Sequence, residues 1–261
     1  MTHPDTPFLV HGICDGRCEP LLRQLGAQNP ASSAELVRTE QLIAVVSPLP
    51  RETSPQASFE DPDQVMRWAI DHNTVLARIA GKTDVVPLRL GTVMSSRASV
   101  EKLLTERFAE FDEALSRLAG TIEMGVVIER AARGATPTLR ASEEGLSSAS
   151  TGRDYLRQRA AVKSRLKNFE RRRHTALNDL AVALDQVCAE IRSLPVAKAT
   201  GVTAEPERLA SWALLVEREA QVDVVELVQV AQATLEAVEL SATVNGPWPV
   251  YTFVASEGRA A

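Results

Sequence analysis

The chain has 261 residues, 44% of them hydrophobic but only 4% aromatic, and a formal net charge of −5. That is enough apolar material for one large or two ordinary domains with cores of Leu, Val, Ile and Ala, and the acidic balance argues against a general affinity for nucleic acid. No apolar run approaches the roughly 18 residues a membrane span requires. The start, Met1 to Pro7, lacks the basic and apolar pattern of a secretory signal, and three cysteines fit a reducing cytoplasm better than a disulfide framework.

Phe8 to Ile13 reads as a β-strand ended by glycine, and Glu19 to Leu25 as a short helix stopped by Gly26. Glu35 to Thr39 and Gln41 to Ser47 predict two strands or one bent strand, followed by a loop marked by Pro48, Pro50 and Pro55. Asp61-Pro62 is a helix start, a capping acid followed by proline at the first helical position. Val65, Trp68, Ala69, His72, Leu76 and Ile79 then form one apolar stripe, closed by Gly81. Asp84 to Leu90 predicts a strand. Ser99 is expected to cap a helix carrying Val100, Leu104, Phe108, Phe111, Leu115 and Leu118, closed by Gly120. Thr121 to Arg130 alternates poorly but is β-branched and apolar, as a buried strand is.

This order predicts an α/β sandwich of the ferredoxin-like kind over residues 1–132, with helices stacked on one face of a mainly antiparallel sheet. Residues 133–150 are small and polar, with Gly134, Pro137, Gly145 and four serines, and read as a linker or long loop between domains. Residues 151–261 predict a smaller α/β domain. A long helix from Gly152 to Ser193 leads it, with a possible break near Arg171 to His174. A strand from Arg208 to Glu217 and a helix from Val222 to Ala237 follow. Leu240 to Val254 is expected to form two strands around a stiff turn at Pro247-Trp248-Pro249, with Trp248 packed.

Charge is uneven. Arg153 to Arg173 holds nine Arg or Lys and two Asp or Glu, a local +7 on an acidic protein. Such a stretch is a solvated helix face, an intramolecular partner for acidic surface, or a docking strip.

Catalytic and ligand-binding patterns are weak. Gly81-Lys82-Thr83 resembles the end of a phosphate-binding loop, but Leu76 stands where the motif needs glycine. His11, Cys14 and Cys18, with Asp15 between them, lack an evident fourth ligand and a standard zinc spacing. His72 lies on an apolar stripe, where a packed, hydrogen-bonded histidine is the default. The acids Asp61, Asp63, Glu110, Asp112 and Glu113 fall at helix starts or on solvent faces and form no persuasive catalytic pair. No catalytic, cofactor or metal site is predicted, which favours a binding or assembly role.

Three stretches carry a resemblance. One is His72-Asn73-Thr74-Val75-Leu76 followed by Val85-Val86-Pro87-Leu88-Arg89-Leu90-Gly91-Thr92-Val93. The second is Leu118-Ala119-Gly120-Thr121-Ile122-Glu123-Met124-Gly125-Val126, followed at a distance by Gly152-Arg153-Asp154-Tyr155-Leu156. The third is Gly246-Pro247-Trp248-Pro249-Val250-Tyr251-Thr252-Phe253. Together they resemble the gas vesicle GvpF/GvpL family, over about Phe8 to Val254. Leu90 replaces a usual aromatic and Val250 a usual proline. The resemblance implies a two-domain α/β accessory protein of gas vesicle formation rather than an enzyme, without cofactor. It also implies contacts with the hydrophobic shell protein GvpA and with other accessory proteins, and a cytoplasmic or gas-vesicle location.

On that reading the basic helix receives the shell subunit or a fellow accessory protein. Arg153, Arg157, Lys163, Arg165, Lys167, Arg171 and Arg172 would steer acidic segments. Two other readings remain. An RNA-binding protein would combine the basic helix with strand aromatics, for which Phe8 and Tyr251 are the candidates. An enzyme built on His72 would need a deep polar pocket around that ring.

Overall fold

The computed structural model describes residues 6–27, 34–50, 61–130, 152–196 and 207–254. The chain forms two compact units, Met1–Glu123 together with Pro247–Ala261, and Met124–Gly246. The expected boundaries at 132 and 150, the linker between them and the Pro55 loop all lie outside the described residues.

The first unit is built on a sheet in the order β2-β3-β1-β4, with β5 also paired to β1. Its strands are β1 (Phe8–Asp15), β2 (Glu35–Arg38), β3 (Leu42–Pro48), β4 (Val86–Pro87) and β5 (Val93–Met94). The described pairings of β1 with β3, β4 and β5, and of β2 with β3, are antiparallel. Among the described residues four α-helices accompany the sheet: α1 (Glu19–Ala27), α2 (Pro62–Ala80), α3 (Arg97–Glu106) and α4 (Phe108–Arg117).

Helices cover both faces of this sheet rather than one. The reason is visible in β3, where Leu42 to Val46 are all buried. Leu42, Ala44 and Val46 pack with Val100 and Leu104 of α3 and Phe111 and Leu115 of α4. Ile43 and Val45, on the opposite face, pack with Leu22 of α1 and Leu76 and Ile79 of α2. A strand with two apolar faces needs two apolar partners. The sandwich is therefore three layers deep.

Local chemistry explains the elements and several shifts from expectation. The Asp61 carboxylate accepts the N–H groups of Asp63 and Gln64, so α2 starts where the Asp-Pro pair predicts. Helix α1 runs through Gly26 to Ala27. Ser96, not Ser99, caps α3; its hydroxyl accepts the Ser99 N–H. The long helix expected there breaks at Arg107, whose φ of −107° and ψ of 22° separate α3 from α4. Of the strand expected at Asp84 to Leu90, only Val86 and Pro87 pair, because Pro87 has no N–H and Gly91 turns at φ +92°.

The second unit holds the sheet β7-β8-β6-β9. Its strands are β6 (Thr121–Arg130), β7 (Glu190–Ser193), β8 (Arg208–Glu217) and β9 (Leu240–Trp248), and its helices are α5 (Gly152–Asp185) and α6 (Gln221–Glu236). The division between units falls within β6 and within β9. Burial along β6 alternates strictly, with Ile122, Met124, Val126 and Ile128 inward. Helix α5 is unbroken at Arg171 to His174 and ends at Asp185, and the expected final helical turns form β7 instead.

The chain end also departs from expectation. Strand β9 continues through Pro247 to Trp248; proline is tolerated because β9 is an edge strand, where a missing donor costs no ladder bond. Tyr251 to Phe253 form a 3-10 turn, not a second strand. Trp248 is 45% exposed rather than packed, while Phe253 is fully buried.

Candidate functional site

Two features of the first unit and one of the second gather the residues singled out by sequence. The first is a buried polar relay. A bulge between Val10 and Gly12 interrupts the β1–β3 register and turns His11 and Gly12 toward the α2 face. Gly12 is needed there: a Cβ at this position would lie 2.7 Å from Val85 and 2.8 Å from Leu76. The close approach brings His11 Nδ1 to 3.1 Å from His72 Nδ1 on α2. His11 Nε2 lies 2.8 Å from the Ser47 hydroxyl, and His72 Nε2 lies 3.2 Å from the Leu88 carbonyl.

The Leu88 carbonyl only accepts, and that fixes the chain of donors. His72 carries its proton on Nε2, so its Nδ1 accepts from His11 Nδ1–H, and His11 Nε2 accepts from Ser47. Both rings are neutral in this arrangement. Burial, and secondarily the neighbouring His72, hold His11 down at about 4. Burial lowers His72 too, with the Leu88 carbonyl opposing. His72 is 2% exposed and both its nitrogens are engaged, so the deep polar pocket required by an enzyme centred on it is not its environment.

The second feature is the clamp on the chain end. Thr252 donates its N–H and its hydroxyl to Glu123, at 2.8 and 2.6 Å. Arg117 donates to the carbonyls of Phe253 and Val254. The Tyr251 ring sits 6.3 Å from the His72 ring, and burial together with Glu123 raises its hydroxyl to about 12. The stretches 72–76, 85–93, 118–126 and 246–253 therefore meet through His72, Leu88, Glu123, Tyr251 and Thr252.

The third feature is α5. Its 34 residues give a length of about 51 Å. From Arg153 to Arg172 no residue is buried, whereas Arg173, Ala176, Leu180 and Leu184 are. Arg153, Arg157, Lys163, Arg165, Lys167, Arg171 and Arg172 are all exposed, and among the described residues none forms an ion pair. At 100° per residue, Arg153, Arg157, Lys167 and Arg171 fall within about 80° of arc, with Lys163 adjoining. Arg165 and Arg172 lie to the other side of that stripe. Tyr155, Val162, Leu166 and Phe169 form the opposite, apolar stripe, and Tyr155 and Leu166 are 42% and 43% exposed.

Other candidates disperse. Cys18 Sγ meets the Thr83 hydroxyl at 2.9 Å, Asp15 pairs with Arg17, and Cys14 is buried, its thiol pushed up by burial. Of the aromatics proposed for base stacking, Phe8 is buried and Tyr251 sits on a turn. Sequence reasoning missed His11 as the partner of His72; the signal available was Gly12, whose missing side chain permits the contact. It also missed a cleft of about 390 Å³ floored by Leu22, Leu36, Val45, Val75 and Ile79, with Arg78 bonded to the Leu25 carbonyl beside it.

These features define a two-unit α/β protein with an internal polar lock and an exposed basic helix. The family described as gas vesicle synthesis protein GvpL/GvpF matches residues 8–255, and the chain belongs to it. Gas vesicle protein L of Streptomyces sp. (strain CB03234) is 32% identical over 229 residues, covering 84% of this chain and 82% of that protein. Gas vesicle protein L1 of Halobacterium salinarum is 23% identical over 214 residues, covering 77% and 74%. The fold is that of GvpF from Anabaena sp. PCC7120, with a TM-score of 0.63 at 18% identity and 97% of each chain covered. GvpF from Microcystis aeruginosa gives 0.61 at 16% identity, covering 96% of this chain and all of the other. No described helix is long and apolar enough to cross a membrane.

Proposed function

We propose that this protein is an accessory factor of gas vesicle assembly that binds the hydrophobic shell protein GvpA and fellow accessory proteins during nucleation. It would act in the cytoplasm or at the vesicle, with no catalytic role. The observation that supports the docking surface is α5. Twenty consecutive residues without a buried member, eight exposed cations (Arg159 among them) without an ion pair among the described residues, and an apolar stripe on the far side are costly for a helix with no partner. An aggregation-prone shell subunit would gain a temporary cover, and the cations would steer its acidic segments.

The test is capture of freshly expressed GvpA by purified protein, with RNase treatment in parallel, against a variant carrying Arg157→Glu, Lys163→Glu, Lys167→Glu and Arg171→Glu. Binding at least tenfold weaker, with a flatter salt dependence, is expected. Unchanged affinity removes α5 from the interface, and capture lost on RNase treatment favours the nucleic-acid reading.

A further inference from the structure

The relay from Ser47 through His11 and His72 to Leu88 is a buried polar arrangement in the first unit. It joins four separate pieces of chain: β3, β1, α2 and the residue after β4. Its two rings lie 5.1 Å apart and are 0% and 2% exposed. We propose that this relay is an acid-sensitive latch that holds α2 on the sheet while both imidazoles are neutral and releases it when they take up protons.

The argument rests on donor count. A first proton added at His11 Nε2 is tolerated by the hydrogen bonds, because the Ser47 hydroxyl can turn and accept. It nevertheless creates a buried cation with no carboxylate against it. A proton on His72 Nδ1 removes the only acceptor that faces His11 Nδ1–H among the described residues and sets two N–H groups against each other at 3.1 Å. Rotation offers no escape, since the Leu88 carbonyl fixes the far end of His72.

Among the described residues the surroundings supply no compensation. The groups facing the pair are Ser47 from β3, the Leu88 carbonyl and the Tyr251 ring from the terminal turn, besides the two histidines themselves. Burial dominates for both rings, His72 lowers His11 further, and no carboxylate contributes to either shift. Glu123 acts on Tyr251 and binds Thr252 instead. The two sites titrate as a coupled pair. Helix α2 also supplies Val75, Arg78 and Ile79 to the apolar cleft, so its release would open that surface.

Hydrogen exchange of the full chain tests this. Amides of residues 62–80 and 97–117 are compared between about pH 7.5 and about pH 5, after correction for intrinsic rates, in the native protein and in H11Q/H72Q. Acceleration of at least tenfold confined to 62–80 in the native protein, and absent in the double variant, is expected. No selective acceleration, or the same acceleration in the variant, overturns the latch. Should the variant fail to fold, imidazole nitrogen shifts of the native protein decide. The neutral tautomers with His11 Nδ1–H and His72 Nε2–H, and midpoints lowered from the free-histidine value, support the latch. Midpoints near the free-histidine value of about 6.5 dismiss it.

Discussion

Thr252 gives both its backbone N–H and its hydroxyl to the carboxylate of Glu123, 129 positions earlier in the chain. The pair closes the 3-10 turn at Tyr251 to Phe253 onto the first unit, with Phe253 wholly buried as the anchor. Loss of Glu123 leaves two donors without their acceptor. We expect Glu123→Ala to destabilise the protein by about 1–3 kcal/mol. The chain end of that variant should be cut faster in limited proteolysis. Equal cleavage of variant and native protein would show that Phe253 alone holds the turn.

Gly12 is a packing requirement rather than a flexible joint. Its missing side chain admits Leu76 and Val85, and thereby the His11–His72 contact. Gly12→Ala is expected to cost about 1–3 kcal/mol by overpacking, read as a lower urea midpoint with an unchanged slope. A neutral effect would mean that α2 yields by several tenths of an ångström without loss.

Acid should weaken the fold in a defined window. Both histidines bind protons more weakly folded than unfolded, so the unfolded chain takes up more protons and stability rises with pH. The contribution is fully present above about 6.5, the ordinary histidine value. It declines as pH falls and is gone below the folded value of His11, about 4. His11 alone accounts for roughly 3 kcal/mol over that span. Urea unfolding from neutral pH down to about pH 5 checks this, since carboxylates contribute little there. A flat profile contradicts the burial of neutral rings.

Arg173 marks where α5 stops being free. Its guanidinium donates to the Val238 carbonyl, pairs with Glu170 and lies 4.9 Å over the Phe169 ring. It thereby fixes the end of α6, where Glu239 adopts a left-handed φ of 59°. Arg173→Ala is expected to cost about 2–4 kcal/mol, because a buried carbonyl loses its donor and the ring its cover. Arg172→Ala, one residue away and exposed, should fall within about 0.5 kcal/mol of native. Thermal melts of the two variants make the comparison; equal melts would place Arg173 outside the core.

Much of this architecture is legible in the sequence where one force acts alone. The Asp61-Pro62 start and the Trp68, His72, Leu76 and Ile79 stripe specify α2, since capping and 3.6 periodicity agree. The unbroken run from Leu42 to Val46 implies two covered faces, although the order of elements alone suggested one. Misreadings arise where long-range contacts choose between equal local options. Val250 to Val254 has strand composition, but the Glu123 and Arg117 clamps turn it into a 3-10 turn. Ile191 fits a helical stripe, yet β7 pairs with β8 through Ile191 opposite Leu214. The His11–His72 contact depends on a bulge, which no periodicity announces. The basic helix was legible as charge, but not the point at which its apolar stripe emerges from the core.

The first unit is assembled from the two ends of the chain, with Pro247 onward returning to Met1–Glu123. On the ribosome, roughly 130 residues must be added between Glu123 and Phe253, about 6–26 s at ordinary elongation rates. Throughout that interval the nascent unit lacks Phe253 and the Thr252 contact with Glu123, and its histidine pair lacks the Tyr251 neighbour. Closure of the first unit thus waits on synthesis of the segment around Phe253. A message truncated between the Gly246 and Phe253 codons would yield a protein whose second unit can fold but whose first stays open to proteases.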